Sequence, residues 1–308
     1  MQNNLKSLKR FPIILIILVF TAGAGSPVFS QSQKLKQAED TLSALLKRLN
    51  QAGDDSTKDH INLQFRQALA QALILPGADE YTFESLKTLI KIAPEDHAFR
   101  IFHWNLPDHD GRSRCYGFIK LLKHDLPVVF PLDDRSDSIA SPETAILDCH
   151  HWFGALYYRI IAMEAKSGKR CYTLLGWAGS NAAVTRKIIE VLSFDDQEQP
   201  RFGMTLFPDF AGGAMTRVVF RYSATTSMSL KYEEQVMSVE KKWNIKKRGF
   251  EEKTSTGMMI VYDRLVPLDP QLEGQFQYYV PAGELFDAFQ VSGGTWHYIA
   301  GVETRNRK

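Results

Sequence analysis

The chain has 308 residues, of which 44% are hydrophobic, 23% charged and 11% aromatic, a composition that excludes disordered, collagen-like and coiled-coil proteins. The formal net charge of +2 becomes −1 when residues 1–30 are removed, because three of the 37 basic residues and none of the 35 acidic ones lie there. A chain without a cationic excess is not expected to bind nucleic acid.

Residues 1–30 have the three zones of a secretory signal peptide. Basic residues among the first ten precede an apolar run over Phe11–Phe20, and small residues then lead to Ser30. The apolar stretch is shorter than the ~20 residues that a membrane-spanning helix needs. We therefore predict cleavage between Ser30 and Gln31, no transmembrane segment in the mature chain, and a periplasmic or extracellular location.

Helical spacing of apolar residues dominates the segment after the predicted cleavage site. Leucines and alanines recur every three or four positions over 35–49 and again over 61–73, with a polar break at 53–56. These patterns predict an antiparallel helical hairpin, which we assign to an arm over residues 31–78. A third, shorter helix is predicted across Phe83–Ile92, before Pro94.

From Phe99 onward the pattern changes to short β-rich runs separated by turn signals such as Pro107–Gly111 and Ser167–Lys169. One exception is predicted, a helix that Ser180 and Asn181 would cap. Its apolar stripe would comprise Val184, Ile188, Val191 and Leu192. The predicted strands cover 99–106, 115–122, 152–165, 171–177, 217–222, 228–233, 258–265 and 296–302. The expected fold class is α+β: the helical hairpin plus a large, mainly antiparallel β domain over 79–308 with one embedded helix.

Two of the predicted hairpins look alike. Each carries an Arg-Cys-Tyr triplet just after its turn, with the cysteines at Cys115 and Cys171. We interpret them as two hairpins of one antiparallel sheet. A disulfide demands close and well-aimed Cβ atoms, so we expect these two cysteines and Cys149 to be unpaired packing residues.

Several segments together resemble an uncharacterised family of exported proteins of Bacteroidetes. They are Phe99–Asn105, Tyr116–Ile119, Trp152–Tyr158, Tyr172–Trp177, Arg186–Ile189 and Val261–Asp263. The resemblance extends from about Ser85 to the end of the chain. It implies a secreted bacterial protein and one coherent unit over that span, and it brings no known activity, substrate or catalytic residue.

The common catalytic signatures do not occur in the sequence. Ser238–Lys241 matches S-x-x-K, but the partner motifs of that enzyme class are missing, and a solvated charge-rich segment is the better interpretation. The histidines at 97, 103, 109, 150 and 151 lack a tight ligand spacing with carboxylates. We expect no metal site and no cofactor.

Aromatic residues supply the candidate binding site. Trp104 follows His103 and Trp152 follows His151, which on a strand places a polar ring on the opposite face from each indole. Exposed aromatic rings can stack on sugars, although most such rings are expected in the core. A basic run over 241–248 around Trp243 is a second candidate, for an anionic envelope polymer.

Two functional hypotheses remain open at this point. The first is a non-enzymatic, envelope-associated binding protein whose partner is an envelope protein or a glycan. The second is an extracytoplasmic hydrolase that acts on an envelope or glycan substrate with carboxylates or a Cys/His pair. A concave pocket with converging polar and titratable groups would favour the enzyme.

Overall fold

The structure, a computed structural model, describes residues 27–122, 126–210, 212–244 and 249–302. Within these ranges the side chains are described except at 27–30, 180, 209, 237–244 and 249–255. The predicted signal peptide up to residue 26, the side chain of Ser238 and those of the basic run over 241–248 lie outside the described part.

The two long helices are confirmed as α1 (Pro27–Gln51) and α2 (Asp55–Leu73). They pack against each other across the predicted polar break. Asp54 caps α2, because its side chain accepts a 2.9 Å hydrogen bond from the backbone N–H of Thr57.

The prediction of a third helix across Phe83–Ile92 is wrong, because this segment forms turns and the short strand β1. Phe83 has a φ of 50°, a left-handed conformation that no helix continues. The Nζ of Lys91 donates hydrogen bonds to the carbonyls of Phe83 (2.7 Å) and Leu86 (3.1 Å). This side chain therefore satisfies backbone groups that a helix would have paired internally.

The described residues form fifteen strands. Their bounds are β1 Ile90–Ile92, β2 Phe99–Pro107, β3 Ser113–Leu121, β4 Val128–Asp133, β5 Leu156–Glu164, β6 Arg170–Ser180, β7 Val184–Phe194, β8 Pro200–Phe202, β9 Phe207–Phe210, β10 Gly213–Met215, β11 Arg217–Ser223, β12 Leu230–Asn244, β13 Gly249–Pro267, β14 Tyr279–Ser292 and β15 Thr295–Val302. All strand pairs are antiparallel. Each of the predicted strands has a counterpart in this series.

Three larger sheets and one short ribbon contain these strands. Sheet 1 has the order β1-β2-β3-β4, sheet 2 the order β11-β7-β6-β5 with β8 beside β7, and sheet 3 the order β12-β13-β14-β15. The ribbon pairs β9 with β10. The predicted α+β class with a mainly antiparallel β region is confirmed.

The sheets and helices form successive layers. The helical pair covers the outer face of sheet 1, where Trp104 and Phe118 join the helix side chains in one apolar cluster. The other face of sheet 1 packs on sheet 2, and the far face of sheet 2 packs on sheet 3. Sheets 1 and 2 are therefore buried on both faces. The boundary at residue 78 between arm and β domain stays a prediction.

The embedded helix predicted after Asn181 is wrong, because the segment is strand β7. Its residues Ile188–Leu192 are all buried, since β7 lies inside a sheet that is covered on both faces. Such a run cannot be told from a buried helix by its period. Asn181 accepts hydrogen bonds from the N–H groups of Ala183 (2.9 Å) and Val184 (2.8 Å), which closes a turn between β6 and β7.

The two similar hairpins lie in different sheets, which corrects the prediction of a single one. Cys115 belongs to β3 in sheet 1 and Cys171 to β6 in sheet 2. Cys115 and Cys149 pack between sheets 1 and 2, whereas Cys171 packs between sheets 2 and 3. All three are buried and free of disulfides, as expected.

Neither helix in the described part of the chain is long and apolar enough to cross a membrane.

Candidate functional site

A cleft of about 820 Å³ opens where one end of sheet 1 meets one end of sheet 2. Its walls come from the turn between β2 and β3, the segment after β4, the start of β7, strand β11 and a 3-10 helix over Phe276–Tyr278. We call it the arginine cleft, because its charged lining residues are Arg112, Arg114, Arg135, Arg186 and Arg221 against Asp108, Asp134 and Asp137.

Two of these arginines face each other across neighbouring strands. Arg186 on β7 is the register partner of Arg221 on β11. Like charges directly opposite one another are destabilising in a sheet, so this pair needs a compensating anion. Glu143 supplies one for Arg221, with 2.7 Å between Oε1 and Nη1.

Arg186 has no comparable compensation. Its guanidinium lies 5.3 Å from the ring centroid of Phe153, and it donates no hydrogen bond to any described residue. Burial lowers the pKa of this guanidinium, and Asp134 and Asp137 offset only part of that effect. Arg186 is thus a half-buried cation whose five N–H donors remain available.

Asp134 forms the floor of the cleft. Its Oδ2 accepts a hydrogen bond from the N–H of Cys115 (2.9 Å) and its Oδ1 one from Ser136 (3.0 Å). Burial raises the pKa of this carboxyl. Gly154, with φ +72°, makes room for it, because a Cβ at that position would lie 2.3 Å from the carboxylate. The carboxylate therefore links β3 to the segment after β4 in the cleft wall.

Further polar groups line the cleft. Arg112 and Arg135 are exposed, and neither side chain forms an ion pair with a described residue. The Oδ1 of Asp108 and the Nε of Arg114 are buried atoms without a hydrogen-bond partner. The other end of Arg114 is held by Asp59 of α2 through a 2.7 Å contact.

A smaller pocket of about 270 Å³ adjoins the cleft and shares Arg114, Asp134 and Arg135 with it. It adds Arg66, whose Nη2 donates to Oδ1 of Asp133 at 2.9 Å. The cationic lining thus continues from the cleft towards the helical pair.

Three of the four binding residues predicted from the sequence are buried. Trp104 and His103 lie on β2, and Trp152 follows a 3-10 helix at Cys149–His151. Trp104 packs under the helical pair, where its Nε1 donates to Oδ1 of Asn62 at 2.8 Å. These rings cannot stack on a sugar in the folded protein, so we do not place a binding surface there.

His103 and Trp152 instead belong to a buried cluster that also includes Tyr157, Glu190 and Arg217. The N–H of Tyr157 donates to Nε2 of His103 (2.9 Å), and the indole of Trp152 donates to the Tyr157 hydroxyl (2.8 Å). That hydroxyl donates to Glu190, which pairs with Arg217 at 2.7 Å. Burial lowers the pKa of His103 to about 4, so the ring is neutral at physiological pH.

His151, the fourth predicted residue, is exposed and separate from the others. Its Nδ1 lies 2.8 Å from Oδ1 of Asp148, which also accepts the backbone N–H groups of His150 and His151. The structure therefore brings His103 and Trp152 together through Tyr157, and leaves Trp104 and His151 elsewhere.

The groups that a cysteine or metal mechanism would need are not in place within the described residues. Burial raises the pKa of Cys149 to about 12 and that of Cys171 to about 11, and it raises that of Cys115 as well. Such thiols stay protonated and unreactive near neutral pH. No cluster of three His, Cys, Asp or Glu side chains suited to a metal ion occurs in the described part.

The sequence reasoning missed the arginine cleft. Its arginines lie on four separate segments: the β2–β3 turn with the start of β3, the segment after β4, strand β7 and strand β11. One local signal was available, since Arg112 and Arg114 directly follow the Asp110–Gly111 turn. Turns at one end of an antiparallel sheet lie close together, so charged residues at several turns can converge.

The chain was compared with known proteins by sequence and by structure. No protein-family model, no curated protein and no solved structure matches it. The geometry of the cleft therefore carries the functional argument.

Proposed function

We propose that the protein is an exported, non-enzymatic binding protein that holds an anionic ligand in the arginine cleft. The observation that carries this proposal is the cross-strand pair of Arg186 and Arg221, in which Arg221 forms a direct ion pair with Glu143 whereas Arg186 has only the more distant carboxylates of Asp134 and Asp137 among the described residues. The proposal keeps the binding hypothesis made from the sequence and moves the site from the buried tryptophans to the cleft.

An anion in this position would relieve the repulsion between the two guanidinium groups. Guanidinium binds carboxylate and phosphate through two parallel hydrogen bonds, which are stronger than bonds between neutral groups. Phe153 lies beneath Arg186 and Glu143 holds Arg221, so both side chains are ordered before a ligand arrives. Ordering in advance reduces the entropy lost on binding.

The described lining of the cleft contains more arginines than carboxylates, which favours binding of an anion. Asp134 directs both carboxylate oxygens to backbone N–H groups, and no histidine lies among the described residues of the cleft wall, but Asp108 has a carboxylate oxygen without a described partner and keeps the hydrolase alternative open. A general acid or base needs a free oxygen or nitrogen within reach of the substrate. The hydrolase alternative remains an outcome of the test, through turnover of any ligand that binds.

Binding is tested by isothermal titration of the mature protein with inorganic phosphate and with small carboxylates at low and high salt. We expect Arg186→Gln to weaken anion binding about 10- to 100-fold, the loss for a charge-assisted hydrogen bond of ~1.5–3 kcal/mol. Lys47→Gln removes one positive charge from the exposed surface of α1 and is the matched control. Equal affinity in the two variants, or no anion binding at all, would contradict the proposal.

The export part of the proposal has its own test. N-terminal sequencing of the protein from its native host should find Gln31 as the first residue. Among the side chains of α1 that the structure describes, the first buried one is that of Leu35, so cleavage after Ser30 removes none of the described packing contacts. An extracytoplasmic form that retains Met1 would contradict cleavage and leave the binding proposal unaffected.

A further inference from the structure

We propose, on the basis of the function proposed above, that the ligand is an acidic sugar. Its anionic group, a carboxylate or a phosphate, is bound by Arg186 and Arg221, and one face of its ring stacks on Phe276. The cleft presents the three kinds of group that such a molecule requires: guanidinium groups, an accessible aromatic ring and small polar side chains.

The aromatic ring lies directly beside the cationic pair. Phe276 is 37% exposed and forms part of the cleft wall. The guanidinium carbon of Arg221 lies 5.5 Å from its ring centroid, and Tyr279 supports the ring from within the same segment at 5.3 Å. A charge site and an apolar plane are therefore adjacent in one cavity.

This adjacency decides between classes of ligand. A bare anion has no apolar face and gains nothing from Phe276, whereas a purely apolar ligand would leave the arginines desolvated without partners. A pyranose ring has an apolar C–H face that packs on aromatic rings, and an acidic substituent extends from its edge. Only a ligand that combines the two uses both walls.

Small polar side chains also border the cleft, and some of them already make hydrogen bonds within the protein. Ser113, Ser136, Ser138 and Asn181 all border the cleft. Hydroxyl and amide groups both donate and accept hydrogen bonds, as sugar hydroxyls require. The volume of about 820 Å³ is in the upper part of the range for small-molecule sites, ~300–1,000 Å³. A single anion would leave most of that space to water.

Titration calorimetry with matched ligands tests the inference. The probes are trigalacturonate and glucose 6-phosphate as acidic sugars, maltotriose as a neutral sugar, and malonate and inorganic phosphate as anions without a ring. We expect the acidic sugars to bind tighter than the anion with the same charged group, and maltotriose to bind at least tenfold more weakly than trigalacturonate. Acidic sugars that bind no tighter than malonate and phosphate would overturn the inference.

The role of Phe276 is tested with variants of one short segment. Phe276→Ala should weaken binding of the acidic sugars about 3- to 10-fold more than it weakens binding of phosphate, because only the sugar loses a stacking surface. Phe276→Leu should show the same loss, because leucine has no flat ring. Phe276→Trp should bind the acidic sugars as tightly as the unchanged protein does. Tyr278→Ala is the matched control, since Tyr278 is 40% exposed in the same 3-10 helix but does not line the cleft.

Failure of this inference is distinguishable from failure of the proposed function. If phosphate and malonate bind in a manner that depends on Arg186, but Phe276→Ala changes nothing, the acidic-sugar assignment is wrong and the anion site stands. If no probe depends on Arg186, both are wrong.

Discussion

Two arginines on neighbouring strands of sheet 2 have opposite surroundings, although the same ring of Phe153 lies near both. Arg217 is fully buried, and its donors reach Glu190 (2.7 Å) and the carbonyls of Ala145 (3.0 Å), Phe202 (3.1 Å) and Pro142. Arg186 is half-buried and donates to no described residue. Their guanidinium carbons are 5.9 and 5.3 Å from the Phe153 centroid.

This difference separates a structural cation from one that is available to a ligand. The hydrogen bonds and ion pair of Arg217 stabilise the folded state, because breaking a buried, hydrogen-bonded pair leaves an uncompensated charge. Arg186 gives the fold little beyond its contact with Phe153. An arginine is therefore a candidate ligand-binding group when its donors, rather than its charge alone, are unsatisfied.

The largest expected effect contrasts the two arginines in stability. Arg217→Met should lower the free energy of unfolding by about 3–5 kcal/mol, because Glu190 loses its partner in a buried site. Arg186→Met should change it by less than about 1 kcal/mol, since it removes a desolvated cation without a hydrogen-bond partner. Urea unfolding followed by circular dichroism measures both. Similar losses in the two variants would remove the distinction.

Acid sensitivity of the buried cluster is the next effect in size. The pKa of His103 is lowered to about 4, against about 6.5 for an unfolded histidine. Between these values the unfolded chain binds the proton first, so stability falls as the pH drops from 6.5 to 4, by up to ~3 kcal/mol. His103→Gln should flatten this part of the stability curve. The control His97→Asn changes an exposed ring and should leave the pH dependence as it is.

Two tyrosines that are adjacent in the chain are expected to differ, by a smaller amount, in their contribution to stability. The hydroxyl of Tyr157 links Trp152 to Glu190 inside the cluster, whereas that of Tyr158 donates to the carbonyl of Leu230 at 2.9 Å from a ring that is 44% exposed. Tyr157→Phe should cost about 2 kcal/mol more than Tyr158→Phe, because it leaves buried charged and polar atoms unsatisfied. Thermal unfolding of the pair decides this, and a costlier Tyr158→Phe would contradict it.

The smallest expected effect concerns the floor of the arginine cleft. Gly154→Ala introduces a Cβ that meets the carboxylate of Asp134, and we expect it to cost about 1 kcal/mol more than Gly283→Ala. Gly283 has a similar φ of +67° with nothing within 4 Å of an added Cβ, so its variant reports backbone strain alone. Gly154→Ala should also weaken anion binding by displacing Asp134. Identical stability and binding in both variants would show that Asp134 does not shape the cleft.

Local pattern was sufficient wherever an element buries one face or ends at a strong turn signal. The helices over 35–49 and 61–73 were predicted from leucine spacing, and the strands on either side of the Pro107–Gly111 turn from alternation and turn chemistry. Periodicity failed at β7, where sheets cover both faces and six consecutive residues, 188–193, are buried. It failed again at Phe83, where a lysine side chain satisfies the carbonyls.

The candidate site was harder to predict from local sequence pattern than the helices and strands were. Tryptophan beside histidine indicated a binding face, but Trp104 and Trp152 are buried because helices cover one side of sheet 1 and sheet 2 covers the other. Whether an aromatic ring is buried or exposed depends on which element packs over its strand. The residues that neighbour the ring in the sequence do not contain that information.

The α+β class, the helical pair, most strands and the three unpaired cysteines were predictable from residue order, because periodicity, turn residues and the geometric demands of a disulfide act over short distances. The set of residues that share a site was not, because it depends on how the sheets pack. Arg112 comes from the β2–β3 turn, Arg186 from β7 and Arg221 from β11, and they meet because antiparallel pairing and sheet stacking bring these segments together. Contacts of that kind depend on strand register and on the packing of sheet on sheet, which residue order specifies only through the whole fold.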